Sequence, residues 1–318
     1  MKKELTIEEF IKELGPEIKK TQEKAQVADS LERLKEIAQK YTGEDEVISS
    51  EDLLEKIKNR PEELTMKSGW ASIDAILSGF RPQQLVVVSA ATKSGKTSWC
   101  LNLTQTLALY HPLWLPFEES AEELLTKCEE RGEKPPVFFT PETMTGNTLV
   151  WVEKKIIESI AKYDSKVVFI DHLHFIVPMS AERQDLMIGQ TMRELKRMAK
   201  KWDVCIFLIA HLKKTKMDTQ PDLEDLRDSS FIAQEADTVI MLWRQMNRNS
   251  DGTVDITNNV NLSVQANRRT GKTGNVKMVY DNGYFREQEW VVEEKPTAKV
   301  SRYLAKPKEQ KPIDWKGF

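Results

Sequence analysis

The chain has 318 residues, 47 Lys and Arg against 50 Asp and Glu, and a formal net charge of −3. That length allows one full hydrophobic core with a smaller attachment, and the near balance of charge means that any nucleic-acid binding must rest on local patches rather than bulk charge. No apolar run approaches a membrane span, the start Met1-Lys2-Lys3-Glu4-Leu5 lacks the apolar core of a signal peptide, and Cys100, Cys128 and Cys205 have neither CxxC nor zinc-ligand spacing, which argues against structural zinc and disulfides and fits a reducing compartment.

Residues 1–66 read as a polar, helical arm. Thr6-Ile7-Glu8-Glu9 has capping-box form, and Gly15-Pro16 ends that first short helix. Leu31, Leu34, Ile37 and Ala38 recur at helical spacing, and Ser50 is placed to cap a third helix over 51–59, before Pro61. Such helices bury little alone, so the segment is either an arm that packs on another surface or a loosely ordered leader.

From Ser68 onward the pattern is α/β. Apolar, β-rich runs lie at 85–88, 113–117, 167–170, 205–209 and 238–242, with helical stretches between most of them. One stretch is 181–202, with Leu186, Met192, Leu195 and Met198 assigned to one face. Runs apolar on both faces predict a mainly parallel, buried sheet flanked by helices. After Trp243, short strands at 260–266, 275–280 and 284–289 joined by Gly turns predict an antiparallel C-terminal edge. The division expected is therefore an arm over 1–66, the α/β domain over 67–292, and a mobile, Lys- and Pro-rich tail over 293–318.

Ser89-Ala90-Ala91-Thr92-Lys93-Ser94-Gly95-Lys96-Thr97-Ser98 sits between the first apolar run and an amphipathic helix. Strand, tight loop and helix in that order make a phosphate cradle, because loop and first-turn N–H groups converge on an anion at a helix N-terminus. Residues Ala91 to Ser98 are the candidate cradle for ATP, Lys96 reaches the terminal phosphates, and the Thr97 hydroxyl holds Mg²⁺. Asp171 ends the run 167–170 and is a candidate Mg²⁺ ligand. Glu118 or Glu119 can orient the attacking water if its strand neighbours that of Asp171. His211 ends another apolar run, where it can touch the γ-phosphate and report its loss. Arg268 and Arg269 lie in a basic turn, Ala266 to Gly274. That turn reads as an arginine finger for a neighbouring subunit, a DNA-contacting hairpin, or a solvated one.

With these motifs in order, the chain resembles the hexameric replicative helicases of the DnaB class, on the RecA-like ATPase fold, over residues 64–290. Ser68-Gly69-Trp70-Ala71-Ser72-Ile73-Asp74 with Leu77-Ser78-Gly79-Phe80 is similar to the family's opening motif. The family commonly has a small residue at the place of Ala90. On the resemblance, Glu118 is the catalytic glutamate, Asp171 the Walker B aspartate and Arg269 the arginine finger. Asp225-Leu226-Arg227-Asp228-Ser229, Gln234 and Ala236-Asp237 match a further block. The family's usual lysine two residues before the finger is Asn267 here; either Arg268 substitutes for it at the nucleotide or the contacts between subunits are weaker. Asp171-His172 and His211-Leu212-Lys213 resemble the phage and mitochondrial primase–helicases, although residues 1–66 hold no primase signature.

The resemblance implies a ring of like subunits, six in number, with ATP and Mg²⁺ between neighbours. It implies translocation on single-stranded DNA with 5′→3′ polarity, unwinding at a replication fork, and a primase or polymerase partner. Arg183, Lys213, Lys214 and Lys216 are the candidate DNA-tracking cations. The setting expected is the cytoplasm of a bacterial or phage-infected cell, since the N-terminus does not support mitochondrial import, and no membrane is involved. The alternative is a RecA-like recombinase or a KaiC-type regulatory ATPase that does not unwind.

Overall fold

Ser49 accepts a hydrogen bond from the Asp52 N–H at 3.0 Å and so caps helix α1, Ser50–Lys58. The cap is thus Ser49 rather than Ser50, because Ser49 takes the extended backbone an N-cap needs while Ser50 is already helical. Glu51 and Asp52 in the first turn and Lys56 and Lys58 in the last complement the helix dipole, and no residue of α1 is buried. The computed structural model describes residues 47–59, 62–91, 94–130, 132, 134–177, 184–212, 220–226, 229–248 and 254–288. The chain divides into two units, residues 1–62 and 63–318. The helices expected before residue 47, the tail from 293, and the four candidate DNA-tracking cations lie outside the described residues.

In the second unit, eight strands form one sheet: β1 Leu85–Ala90, β2 Leu113–Pro116, β3 Val167–Asp171, β4 Cys205–His211, β5 Thr238–Arg248, β6 Val254–Asn267, β7 Gly274–Asp281 and β8 Tyr284–Glu287. Their order is β2-β3-β4-β1-β5-β6-β7-β8, with the first five parallel and the last three added antiparallel. Because successive side chains alternate faces, the fully buried β1 feeds two cores. Val86 and Val88 join one with α2 Ala71–Leu77, α3 Lys96–Thr106 and α4 Ala121–Glu130; Leu85 and Val87 join the other with α5 Leu149–Tyr163, α6 Leu173–Ile176, α7 Gln184–Lys201 and α8 Ser229–Glu235.

Two expectations are corrected here. On α7 the buried face is Ile188, Met192, Leu195 and Met198, whereas Leu186 is exposed. Six residues from Leu186 to Met192 turn the helix well past one face. Strands β5 and β6 run beyond the apolar stretches, to Arg248 and from Val254. Their outer halves are polar and held by ladder pairing around register shifts at Val239/Ile240 and Arg244/Met246, which leaves no apolar run to read.

Trp114, Phe169 and Phe207 are register neighbours on β2, β3 and β4, and their rings stack at 4.8 Å centroid separations. Phe80 closes the row edge-on to Phe207 at 4.9 Å. All four are fully buried. Phe169→Ala, at the centre of this row, is expected to destabilise the domain by about 3–5 kcal/mol, measured by urea unfolding with an unchanged slope. No helix among the described residues is long and apolar enough to cross a membrane.

Candidate active site

The parallel strands end on one edge of the sheet, which is where open α/β sheets hold ligands. At that edge β1 gives way to the phosphate loop. Ser94 N–H donates to the Ala91 carbonyl at 3.1 Å, and Gly95 starts α3 at φ +88°, where a side chain is strained and a Cβ would meet Phe285 Cζ at 3.2 Å. Asn102 ties α3 to the β7–β8 turn, donating to the Gly283 carbonyl and accepting from Phe285 N–H. Trp70, from the opening motif, stacks on Trp99 and donates Nε1–H to the Phe285 carbonyl. Helix α3 is thus held against the β7–β8 turn and the opening motif.

A cleft of about 550 Å³ opens over this loop. It is lined by Gly95, Lys96, Thr97, Ser98, Glu118, Glu119, Asp171 and His211, together with Lys127, Arg244 and Tyr280. The Lys96 ammonium donates to the Ala90 carbonyl at 3.4 Å. Burial lowers its pKa from the ordinary lysine value, while the charges of Asp171 and Glu118 oppose the fall.

The Thr97 hydroxyl donates to Asp171 Oδ2 at 2.8 Å, and Asp171 Oδ1 is buried with no hydrogen-bond partner among the described residues. A hydroxyl beside a carboxylate with an orphaned oxygen fits a hard dication such as Mg²⁺. Burial pushes the Asp171 carboxyl up to about 6 against the Thr97 hydrogen bond. Its folded pKa therefore exceeds the unfolded value. The stability this contributes is full below about pH 4 and lost as pH rises through 6. In metal-free buffer at pH 8, Asp171→Asn is expected to raise stability by about 2–3 kcal/mol, with the gain vanishing by pH 4, followed by thermal unfolding across that range.

Parallel pairing of β2 with β3 puts Pro116 opposite Asp171, and the N–H groups of Phe117 and Glu118 both donate to the Asp171 carbonyl. The condition for a water-orienting glutamate, a strand adjoining that of Asp171, is therefore met. Glu119 is engaged by Lys127 at 2.6 Å, whereas Glu118 Oε2 lies 3.0 Å from His172 Nδ1 and 3.6 Å from His211 Nε2. Among the described residues His172 Nδ1 has no well-aligned hydrogen bond, so the contact with Glu118 is close but bent. Burial and the neighbouring His211 push the His172 imidazole down to about 4, which keeps it neutral near pH 7. Pairing of β1 with β4 sets Ala90 beside His211.

Arg268 and Arg269 do not line this cleft. Both are exposed on the β6–β7 turn, and the Arg269 guanidinium comes no nearer than 4.0 Å to Glu63. Asn267 is buried: its amide accepts from the N–H groups of Arg269 and Thr270 and donates to Thr270 Oγ1 and the Ile76 carbonyl. It builds the turn that presents the two arginines. Asp237, from the further block, accepts from Leu85 N–H and from Lys196, anchoring the start of β1. Arg227 and Asp228 of that block, like Thr92 and Lys93 of the loop, lie outside the described residues. Sequence reasoning missed His172, Arg244 and Tyr280 as site residues. The Arg244 guanidinium lies 5.1 Å from the Tyr280 ring at the cleft wall.

Fold and cleft together define a RecA-like domain of the P-loop type. Residues 118–289, more than half the chain, match the DnaB-like helicase C terminal domain, and the chain belongs to that family. Relatives include the probable replicative DNA helicase of Trieres chinensis, 23% identical over 294 residues and covering 78% of this chain and 64% of that protein. The replicative DNA helicase DnaB of Geobacillus stearothermophilus is 24% identical over 275 residues, covering 76% of this chain and 60% of that protein. The chain thus spans roughly three fifths of these curated relatives. Among solved structures, an ATPase domain superposes with a TM-score of 0.62 at 22% identity, covering 77% of this chain and 100% of that one. A DnaB-like replicative helicase described with its interactions with primase gives 0.62 at 20% identity, covering 86% and 74%.

Proposed function

We propose that this chain is an ATP-driven replicative helicase motor that assembles as a six-membered ring, moves 5′→3′ along single-stranded DNA and unwinds duplex at a fork. The observation that carries this is the convergence of Lys96, Thr97, Asp171, Glu118 and His211 on one cleft, with Arg269 outside it. Lys96 holds the terminal phosphates, Thr97 and Asp171 hold Mg²⁺, and Glu118 orients the attacking water. Mg²⁺ at that pair supplies charge neutralisation to the phosphates. Arg244 and Tyr280 form a wall against which a base can stack. Arg268 and Arg269 complete the nucleotide site of an adjacent copy.

His211 reports loss of the γ-phosphate. Lys213, Lys214 and Lys216 lie within five residues after it in sequence, which supports their role, with Arg183, in tracking the DNA backbone. A primase or polymerase is the partner expected at the fork, and the cytoplasm of a bacterial or phage-infected cell the setting. The test is strand displacement on a forked substrate with ATP and Mg²⁺. ATP hydrolysis with open filaments and no displacement would favour a recombinase, and hydrolysis indifferent to DNA a regulatory ATPase.

The segment before the catalytic domain is the arm by which one copy docks on the next. Leu53, Leu54 and Ile57 of α1 are exposed apolar side chains, as a docking helix requires. Deleting residues 1–60 is expected to abolish the ring by multi-angle light scattering; a persisting hexamer would refute the arm's role.

A further inference from the structure

Three of the chain's four histidines, His172, His174 and His211, gather at one end of β3 and β4. Their ring centroids lie 4.2 Å (His172–His211), 5.5 Å (His172–His174) and 6.3 Å (His174–His211) apart. The side chains of Glu118, His172 and His211 each offer one ligand atom, all within 4.8 Å of one another. The Glu118 Oε2 separations from His172 Nδ1 and His211 Nε2, 3.0 and 3.6 Å, bracket the spacing of about 3.4 Å between two ligands of a tetrahedral ion bound at about 2.1 Å. His172 is nine-tenths buried, and its Nδ1 points into this cluster with no aligned hydrogen bond among the described residues. A buried ring nitrogen left so is costly unless a further partner completes it.

We propose that Glu118, His172 and His211 form a binding site for a transition-metal dication such as Zn²⁺, separate from the Thr97–Asp171 pair, whose filling withdraws Glu118 from the attacking water and stops hydrolysis. Two imidazoles and one carboxylate leave a coordination position for water and favour zinc or cobalt over magnesium, which prefers oxygen. The cleft then carries two metal preferences side by side: a hard dication at Thr97 and Asp171, and a borderline one at the histidines. The inhibitory consequence rests on the proposed role of Glu118, whereas the binding itself needs neither ATP nor DNA.

The first measurement is titration of the full chain, prepared without a histidine tag, with Co²⁺ in the absence of nucleotide. One equivalent per chain is expected to give visible d–d absorption, displaced by Zn²⁺. His172→Ala and His211→Ala should each weaken the metal at least tenfold, and His111→Gln, at the remaining histidine, should leave it unchanged. X-ray absorption on the wild-type cobalt complex should show two imidazole nitrogens, a reading that survives if a variant fails to fold. At fixed excess Mg²⁺, saturating Zn²⁺ should lower ATP hydrolysis at least tenfold, reversed by a zinc-selective chelator. Binding is overturned by absence of the band, by its retention in both histidine variants, or by fewer than two imidazoles. Full hydrolysis with zinc bound overturns the inhibition alone, and an inert protein that still shows the band overturns the motor reading and not the metal site.

Discussion

Arg269→Ala is expected to lower DNA-stimulated ATP hydrolysis by about a thousandfold or more, while nucleotide affinity measured on the dissociated chain stays within about threefold of wild type. The expectation follows from position. Arg269 is on the β6–β7 turn, outside the cleft that holds Lys96, Thr97 and Asp171, and is more than one-third exposed. A guanidinium that served its own subunit would need to reach the phosphates over Lys96, and here its acidic contact is Glu63 at 4.0 Å. Asn267 spends its amide on the backbone of the turn, so the turn's shape is built in rather than induced. The decisive form of the test mixes two inactive variants, Arg269→Ala and Lys96→Ala. In a mixed ring the first supplies an intact phosphate loop and the second an intact arginine, so some interfaces recover both halves. Recovered hydrolysis supports action between subunits. An Arg269→Ala chain that loses nucleotide binding when dissociated would place the residue in its own site and overturn the reading.

The passage from strand to helix at 85–106 could be read from sequence because its elements are contiguous along the chain, so an apolar run, a short polar break and an amphipathic stretch announce it. The strand ends at Asp171 and His211 were legible for a related reason, since a fully apolar run that stops at a polar residue marks where a buried parallel strand reaches the sheet edge. What depended on lateral pairing was less accessible. By residue type alone Glu118 and Glu119 are equivalent; the family resemblance picks Glu118, and the physical distinction is the ion pair of Glu119 with Lys127. His172 gains its surroundings from β4 and from the loop after β2. Arg244 lies on β5 just past the apolar run 238–242, and Tyr280 closes the edge strand expected over 275–280, where nothing in the sequence ties it to the cleft. For Arg244 the available signal was a cation just past the run 238–242, too common to single out. Asn267 looked like the loss of a lysine, yet its burial and four hydrogen bonds give it a different task, which only the folded turn displays.

Glu118→Gln should lower hydrolysis by about 10²–10⁴-fold with ATP binding retained, and Glu119→Gln should change it by no more than a few-fold. Glutamine keeps the size of the side chain and an oxygen for His172, but it cannot accept a proton from water. Asp171 is the poorer candidate, because its Oδ2 already accepts the Thr97 hydroxyl. Glu119 is also the poorer candidate, since its carboxylate is paired with Lys127. His172 is neutral near pH 7 and therefore does not compete with water for the Glu118 charge as a cation would. Single-turnover hydrolysis on preformed complexes isolates the chemical step from binding and release. A Glu118→Gln protein with single-strand-stimulated hydrolysis near wild type would overturn the assignment. A collapse in Glu119→Gln alone would move the base by one residue and break the argument from the Lys127 ion pair. If both fall together, with binding intact, the two acids act as one electrostatic unit, and the separation drawn from their partners is wrong.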